Sequence, residues 1–397
     1  MVDSERIEPS HKKLPLHTKE FKHSLNLETI RNFTVPVELK ERFEQAARAL
    51  HDPEVYEATS SADEPQTTRT PTNLSSKDAR EMVRCAKLER LPPGTPYHLV
   101  RCFYVVELGK SRRRPIIATD ALNYADPSPR LCTTKYPSRE ENRQKGGCQR
   151  CAEAARCPHD IVSLQVDFRA WFDQWTLEKE IRNRHVVKIG KHLYRSRKLP
   201  MGSILAPDLA QSGTWMFTSH PLVRRLVAEG KITVTTCIDN VRICGERKYV
   251  IEAGLRVLHR MRRAGAELNE LDIDSPITRE TVEKMLKKDD VFLGESFAYG
   301  KGEVRCTEQT RQKVAEAVRT TLLSKTISFR HLAKTVSLLL WASSTLAHTP
   351  RDAFNFLRYY RRAMSAIATM PYRMNDTWDY QAPPLSAFER SELAAWA

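Results

Sequence analysis

No apolar run in the 397-residue sequence approaches the ~18 residues needed to span a bilayer, and the N-terminal MVDSERIEPSHKKLPLH has no apolar core that could serve as a secretory signal. A membrane partner is therefore not expected, and an intracellular location, nuclear or cytoplasmic, is. There is no internal repeat, so the chain reads as a series of distinct regions. Acidic residues are outnumbered: 49 Asp plus Glu face 64 Lys plus Arg, and the net charge of +15 points to a polyanionic partner without naming it. Nine cysteines in a chain without a signal suggest thiols or metal ligands rather than a disulfide framework. With 41% apolar residues over this length, the chain can bury a real core of two to four domains.

Residues 1–25 are polar, rich in Lys and His, and expected to be mobile. Val37, Leu39, Phe43, Ala47 and Leu50 space an amphipathic helix, and a Ser/Thr/Pro/Glu-rich linker follows. A helix is expected over 78–91, capped by Ser76 or Asp78, then strands in YHLVRCFYVVELG and RRRPIIATDALN. IVSLQVDF reads as a buried strand, RAWFDQWTLEKEI as a helix, and HVVKIGKHLYRSRKL as a hairpin turning at Gly190–Lys191. LPMGSILAPDLAQSGTWMFTSH starts as a loop and continues as a helix. KITVTTCIDNVRICGE is a second hairpin, followed by a helix with apolar Val250, Ala253, Val257 and Met261, and DVFLGESF reads as one short strand. The stretch from 308 to 370 is nearly all helical, and one short helix follows the Pro pair near the end. Between Arg305 and Asn375 there are twelve Lys or Arg and three Asp or Glu.

Two carboxylates stand out. Asp167 ends the apolar strand IVSLQV, and Asp239 sits at the tip of the hairpin TVTTCIDNVRIC. Hard divalent cations such as Mg²⁺ take oxygen ligands, and two such ions stabilise the attacking and leaving oxygens of a phosphoryl transfer. Taken singly, either Asp reads first as a residue that ends a strand at a turn.

In register, four motifs resemble the palm of a reverse transcriptase. They are Asp167-Phe168-Arg169-Ala170-Trp171-Phe172-Asp173-Gln174; Leu199-Pro200-Met201-Gly202 with Ala206-Pro207 and Ala210-Gln211; Cys237-Ile238-Asp239-Asn240; and Phe292-Leu293-Gly294. The resemblance, over roughly residues 100–370, is to the enzymes of retroelements that encode a tyrosine recombinase, the DIRS-like group and its trypanosomatid relatives. It implies an α+β right-hand polymerase: fingers (78–127), palm (161–304) and a basic helical thumb or connection (305–375). Around these lie an N-terminal extension with one helix (1–55), a linker (56–77), a Cys/His-rich insertion (128–160) and a C-terminal tail (376–397).

The resemblance also implies roles. Asp167 and Asp239, with Asn240, form the catalytic set that binds two Mg²⁺, helped by the Phe168 carbonyl. Phe172 matches the aromatic gate that rejects a 2′-hydroxyl; it is alternatively a core residue. Met201 and Gly202 match the loop against template base and incoming nucleotide. Arg114 matches a fingers residue that clamps the triphosphate with its bidentate fork, or belongs to a solvated basic turn. Phe292, Leu293 and Gly294 match the primer grip, or form an ordinary buried strand. Implied partners are an RNA template with a DNA primer, the RNA/DNA duplex, dNTPs, and a separate RNase H or recombinase, since no stretch is left for an RNase H domain.

Three departures bear on catalysis. Asp239-Asn240 stands where two Asp are usual, with Cys237 in place of Tyr, although some RNA-virus polymerases use Asp-Asn there. Ala118 and Asp120, before Leu122-Asn123, replace an Asp and an Arg. The loop after Gly265 reads Ala-Glu-Leu-Asn-Glu-Leu-Asp, without a Lys that often assists the leaving pyrophosphate. A catalytically degenerate copy acting as a nucleic-acid-binding scaffold is therefore the alternative function.

Separately from that resemblance, Cys148-x-x-Cys151, then Cys157-Pro158-His159, with Cys132 upstream, could supply the four tetrahedral ligands of a Zn²⁺. The insertion has few large apolar groups and no hydrophobic core in prospect, so a metal would explain its folding. The other reading is reduced thiols in a solvated loop, and a zinc-stabilised adaptor is a third, weaker function. Near the C-terminus, Phe354, Leu357, Tyr360 and Met364 recur at helical spacing, with Arg358, Arg361 and Arg362 on other faces, which by itself reads as a helical bundle with a solvated basic surface; the resemblance implies that this bundle, as thumb or connection, holds the duplex backbone.

Overall fold

In the computed structural model the described residues are 12–52, 73–119, 136–151, 157–203, 205–272, 274–343, 345, 350–368 and 380–396. Most of the expected linker lies outside them, as do Asp120, Leu122, Asn123 and Cys132. The chain is α+β and forms two compact units. One comprises Met1–Pro137, Leu164–Ile243 and Lys248–Leu286; the other comprises Ser138–Ser163, Cys244–Arg247 and Lys287–Ala397. Among the described residues no helix is long and apolar enough to cross a membrane.

The apolar run before Asp167 forms the strand Ile161–Asp167, with Ile161, Val162, Ser163, Leu164 and Val166 all buried; its part from Leu164 to Asp167 belongs to the first unit. A strand buried on both faces needs neighbours on either side. Asn240–Glu246 lies next to it and Ile232–Cys237 beyond that. Helix Ala206–Thr218 is buried almost all round, as befits a core helix. An aromatic cluster packs beside it: Phe168 stacks on Trp171 at 4.0 Å between ring centroids, and Trp171 meets Trp175 edge-on at 4.8 Å. The antiparallel pair Arg101–Glu107 and Arg112–Ala118 faces Val105 with Arg114. It shares a core with the sheet of Leu88–Arg90, His192–Ser196 and Val186–Ile189, through Met82, Tyr104, Val187 and Tyr194.

Three local expectations are corrected in this unit. The helix expected over 78–91 is Ser76–Arg84, capped by Ser75 with Asp78 closing a capping box. Ala86 then adopts φ +53°, and Leu88–Arg90 leaves the helix to pair with His192–Ser196, where Leu88 is buried. RAWFDQWTLEKEI is not one helix but two single turns, Trp171–Gln174 and Lys179–Arg182. The extended residue Trp175 lets the chain bury Trp171, Trp175 and Leu177 together, which one continuous helix face would not do. The N-terminal segment is not loose from residue 12 onward. Leu16 bridges Arg113 in parallel, and the Arg113 side chain donates to Leu14 O at 2.7 Å while holding Asp78 at 2.8 Å.

In the second unit DVFLGESF is a hairpin rather than a strand: Asp289–Phe292 pairs with Glu295–Ala298, which pairs with Glu303–Cys306. Leu293 at φ +49° and Gly294 at φ +80° make the two-residue turn, of the kind whose twist suits a tight hairpin. Helices Glu308–Leu323, Phe329–Ser343, Phe354–Ala368 and Ala387–Ala394 bury Val318, Leu332, Val336, Leu339, Phe356 and Leu393 against one another. The buried face of Phe354–Ala368 is Phe356, Tyr359 and Ala363, with Leu357, Tyr360 and Met364 at its margin, whereas Phe354 is 58% exposed. Arg358, Arg361 and Arg362 face solvent, as the pattern predicts.

Candidate active site

The strand end and the hairpin tip converge. The Phe168 N–H donates to the Asp239 carbonyl at 2.8 Å, which sets the two carboxylates on adjacent backbone. Ile238, a β-branched residue at φ +55°, makes the turn that presents Asp239, a conformation costly enough to need outside support. Helix Ala206–Thr218 supplies that support. Gln211 accepts from the Ile238 N–H at 2.6 Å and donates to Thr236 Oγ1 at 2.8 Å, while Thr214 donates to the Ile238 carbonyl at 2.5 Å.

On the other side Asp167 is held by the loop after Gly265. Asn269 donates through its amide side chain to Asp167 Oδ2 at 2.8 Å and through its backbone to the Asp167 carbonyl at 2.9 Å. The Asp167 N–H donates to Glu270 Oε2 at 3.0 Å. The loop is itself locked by buried Gln174, which exchanges two hydrogen bonds of 2.9 Å with the Glu267 backbone. Asp167 Oδ1 is buried without a hydrogen-bond partner. Burial, then the Asp239 and Glu270 charges, pushes the Asp167 carboxyl up to about 6 against the opposing Asn269 bond. Burial also raises Asp239, against a 2.9 Å hydrogen bond from Asn240 and the charges of Arg114 and Lys110. Two acids unfavourable as bare anions, one with an unfilled lone-pair direction, fit a hard divalent cation.

A cleft of about 310 Å³ opens over the pair, lined by Asp167, Asp239, Asn269, Phe168, Phe172, Met201 and Arg114. His17, Lys19, Lys87, Lys110, Arg112 and Lys198 add basic groups to its wall. Phe172 is half-buried and borders the cleft, whereas the Phe168 ring is in the core. Met201 is 47% exposed, with its sulfur 4.0 Å from an Arg114 guanidinium nitrogen. At Gly202 a Cβ would lie 3.4 Å from the Ile117 carbonyl, ordinary contact distance, so the loop runs close against the strand Arg112–Ala118. Arg114 pairs with Glu107 at 2.8 Å. Lys87 and Asp173 neutralise each other at 2.6 Å. Burial pulls Lys198 down to about 8 and, with the Arg112 and Lys19 charges, His17 to about 4, so His17 is neutral at pH 7.

Asn240 therefore sits at the site but spends its amide on Asp239. Phe292, Leu293 and Gly294 lie in the hairpin of the second unit, as do Cys148, Cys151, Cys157 and His159 in the insertion, whose ligand atoms are within 4.8 Å of one another. The sequence reading assigned no role to Asn269, Glu270, Gln211, Lys198, Lys110, His17 or Lys19. The polar stretch of the loop after Gly265 was a signal for the first two; the N-terminal pair had none.

No protein-family model and no curated protein matches this sequence. Solved structures do. The foamy viral protease-reverse transcriptase dRH in complex with dsDNA aligns with TM-score 0.55 and 13% identity, over 95% of this chain and 60% of that one. The foamy viral protease-reverse transcriptase with dsDNA gives 0.52 and 12% over 95% and 72%, and with an RNA/DNA hybrid 0.51 and 12% over 95% and 46%. The chain thus has a reverse-transcriptase-like fold and spans 60% of the first of these neighbours.

Proposed function

We propose that the chain is an RNA-directed DNA polymerase of a retroelement, with fingers, palm and helical thumb or connection as its sequence implies. The observation that carries this reading is the Asp167–Asp239 pair, with its unpartnered buried oxygen, under a cation-lined cleft. Asp167, Asp239 and the Phe168 carbonyl are the groups that would hold Mg²⁺. Bound there, the ions supply charge neutralisation at the attacking and leaving oxygens of nucleotidyl transfer.

The chain's own residues do the rest. Arg114, Lys110 and Lys19 bind the triphosphate of the incoming dNTP, Arg114 with a fork that matches two phosphate oxygens. Phe172 packs under the sugar, where a 2′-hydroxyl would collide with its ring. Met201 and Gly202 seat the base and its template partner. Gln211, Thr214 and Gln174 keep both carboxylates in place before substrate arrives, which is how such sites gain from preorganisation. In the second unit, Phe292, Leu293 and Gly294 serve as primer grip, and the exposed basic groups of the helical bundle bind the duplex backbone. A DIRS-like source, a separate RNase H or recombinase and a nuclear stage belong to the same reading.

Extension of oligo(dT) on poly(rA) with dTTP and a range of Mg²⁺ and Mn²⁺ tests it. Metal-dependent incorporation is expected. Salt-sensitive duplex binding with no incorporation at any metal concentration would replace this reading with the scaffold.

A further inference from the structure

The insertion carries a second site that the polymerase reading does not use. His159 Nδ1 lies 3.4 Å from Cys148 Sγ, 3.5 Å from Cys151 Sγ and 3.4 Å from Cys157 Sγ. A ring nitrogen has one lone pair or one N–H, so at most one of these contacts is a hydrogen bond. Three sulfurs at equal range from one nitrogen, with all four atoms within 4.8 Å of one another, suit instead the corners of a tetrahedron. With Zn–S near 2.3 Å and Zn–N near 2.0–2.1 Å, a tetrahedral ion sets each S···N edge at ~3.5 Å. Three thiolates and one imidazole, with no open position, select Zn²⁺ over harder cations.

The site also has a place in the packing. Cys148 and Cys157 lie against a small buried cluster of Ile161, Cys244, Phe292, Phe297 and Tyr299. A Cβ on Gly146 would come within 2.5 Å of the Phe297 ring, so the chain entering the site presses directly on the hairpin. Asn142 donates to the fully buried Glu295 at 2.9 Å. We propose that Cys148, Cys151, Cys157 and His159 bind one structural Zn²⁺ that clamps the insertion onto the hairpin Asp289–Ala298. Few apolar side chains in the insertion could hold it there otherwise, so the metal stands in for a core. The proposal is independent of whether the chain polymerises DNA.

Elemental analysis of the purified full chain is expected to give one zinc per chain, falling to none in Cys148→Ser/Cys151→Ser. Replacing zinc by Co²⁺ should produce the visible and thiolate charge-transfer bands of tetrahedral S₃N ligation. His159→Cys, which keeps four ligands, should retain the metal even if the double variant does not fold. Hydrogen exchange on chelator-stripped wild type should rise in 289–298 and stay unchanged in 232–246. A chain that takes up no zinc, or keeps it in a folded double variant, overturns the site. Zinc bound with unchanged exchange in 289–298 after stripping overturns the clamp.

Discussion

The two candidate cation sites solve opposite problems. Around Asp167 and Asp239 the scaffold is hydrogen-bonded without any ion: Gln211, Thr214, Gln174 and Asn269 hold the backbone, and the two carboxylates are the groups whose charge burial disfavours. Around Cys148 and His159 the insertion has few apolar groups of its own, and the four ligand atoms lie within 4.8 Å of one another. Hard ligands on a stiff frame suit a cation that comes and goes with substrate. Soft ligands on a frame without its own core suit a cation that stays. A site's supporting shell therefore tells resident from visiting metal as well as its donor atoms do.

The largest expected effect separates the two directly. Asp167→Ala should lower extension by ~10³-fold, the rate equivalent of about 4 kcal/mol of lost charge stabilisation, and leave zinc content at one per chain. A fall in zinc alongside activity would show that the sites are not independent.

Titration sharpens the contrast. A protonated carboxyl is no ligand, so with Asp167 near 6, Mg²⁺ should bind ~10-fold more weakly at pH 5 than at pH 7.5. The sign for stability runs the other way. Folded metal-free protein holds this proton more tightly than the unfolded chain, so stability falls as pH rises from the ordinary 3.8 through about 6. Asp167→Asn removes that penalty and should raise Tm at pH 7.5 without metal by ~2–4 °C, about 1 kcal/mol after solvent screening. A Tm difference of the same size at pH 3.5 would show a cause other than this charge.

The support of the Asp239 turn is testable by itself. Gln211→Leu leaves the Ile238 N–H without its acceptor, while Thr236 Oγ1 keeps the Trp215 indole donor, and should cost about 1–3 kcal/mol in urea unfolding, with lowered extension. Unchanged stability would mean the turn holds itself.

Asn240 gives the smallest effect. Asn240→Asp adds negative charge beside the site and should lower the Mg²⁺ needed for half-maximal extension by ~2–5-fold, about 0.5–1 kcal/mol. A higher requirement would mean the amide bond to Asp239 is worth more than the charge.

What the sequence made legible follows from physical range. Asp167 and Asp239 were readable because an apolar strand and a hairpin are local patterns, and their order along the chain carried the resemblance. The Gly190–Lys191 turn and the buried face of Arg247–Arg263 were readable for the same reason. Leu88–Arg90 continues a helical pattern locally, and the strand it pairs with lies a hundred residues on. RAWFDQWTLEKEI has helical propensity locally, which burying two tryptophans on one cluster outweighs. Asn269 reaches Asp167 only through the fold, and His17 and Lys19 reach the cleft only because Leu16 bridges Arg113. The Cys/His spacing was readable as a ligand set, whereas its convergence on one point was not.

Comparing wild type with Asp239→Ala tests the central claim most directly, using extension of oligo(dT) on poly(rA) with Mg²⁺ or Mn²⁺ and duplex affinity measured on the same samples. The account predicts metal-dependent extension by the wild type, loss of ~10³-fold in the variant, and equal duplex binding by both. Extension that persists in Asp239→Ala, or a wild type that binds duplex and never extends it, would contradict the account.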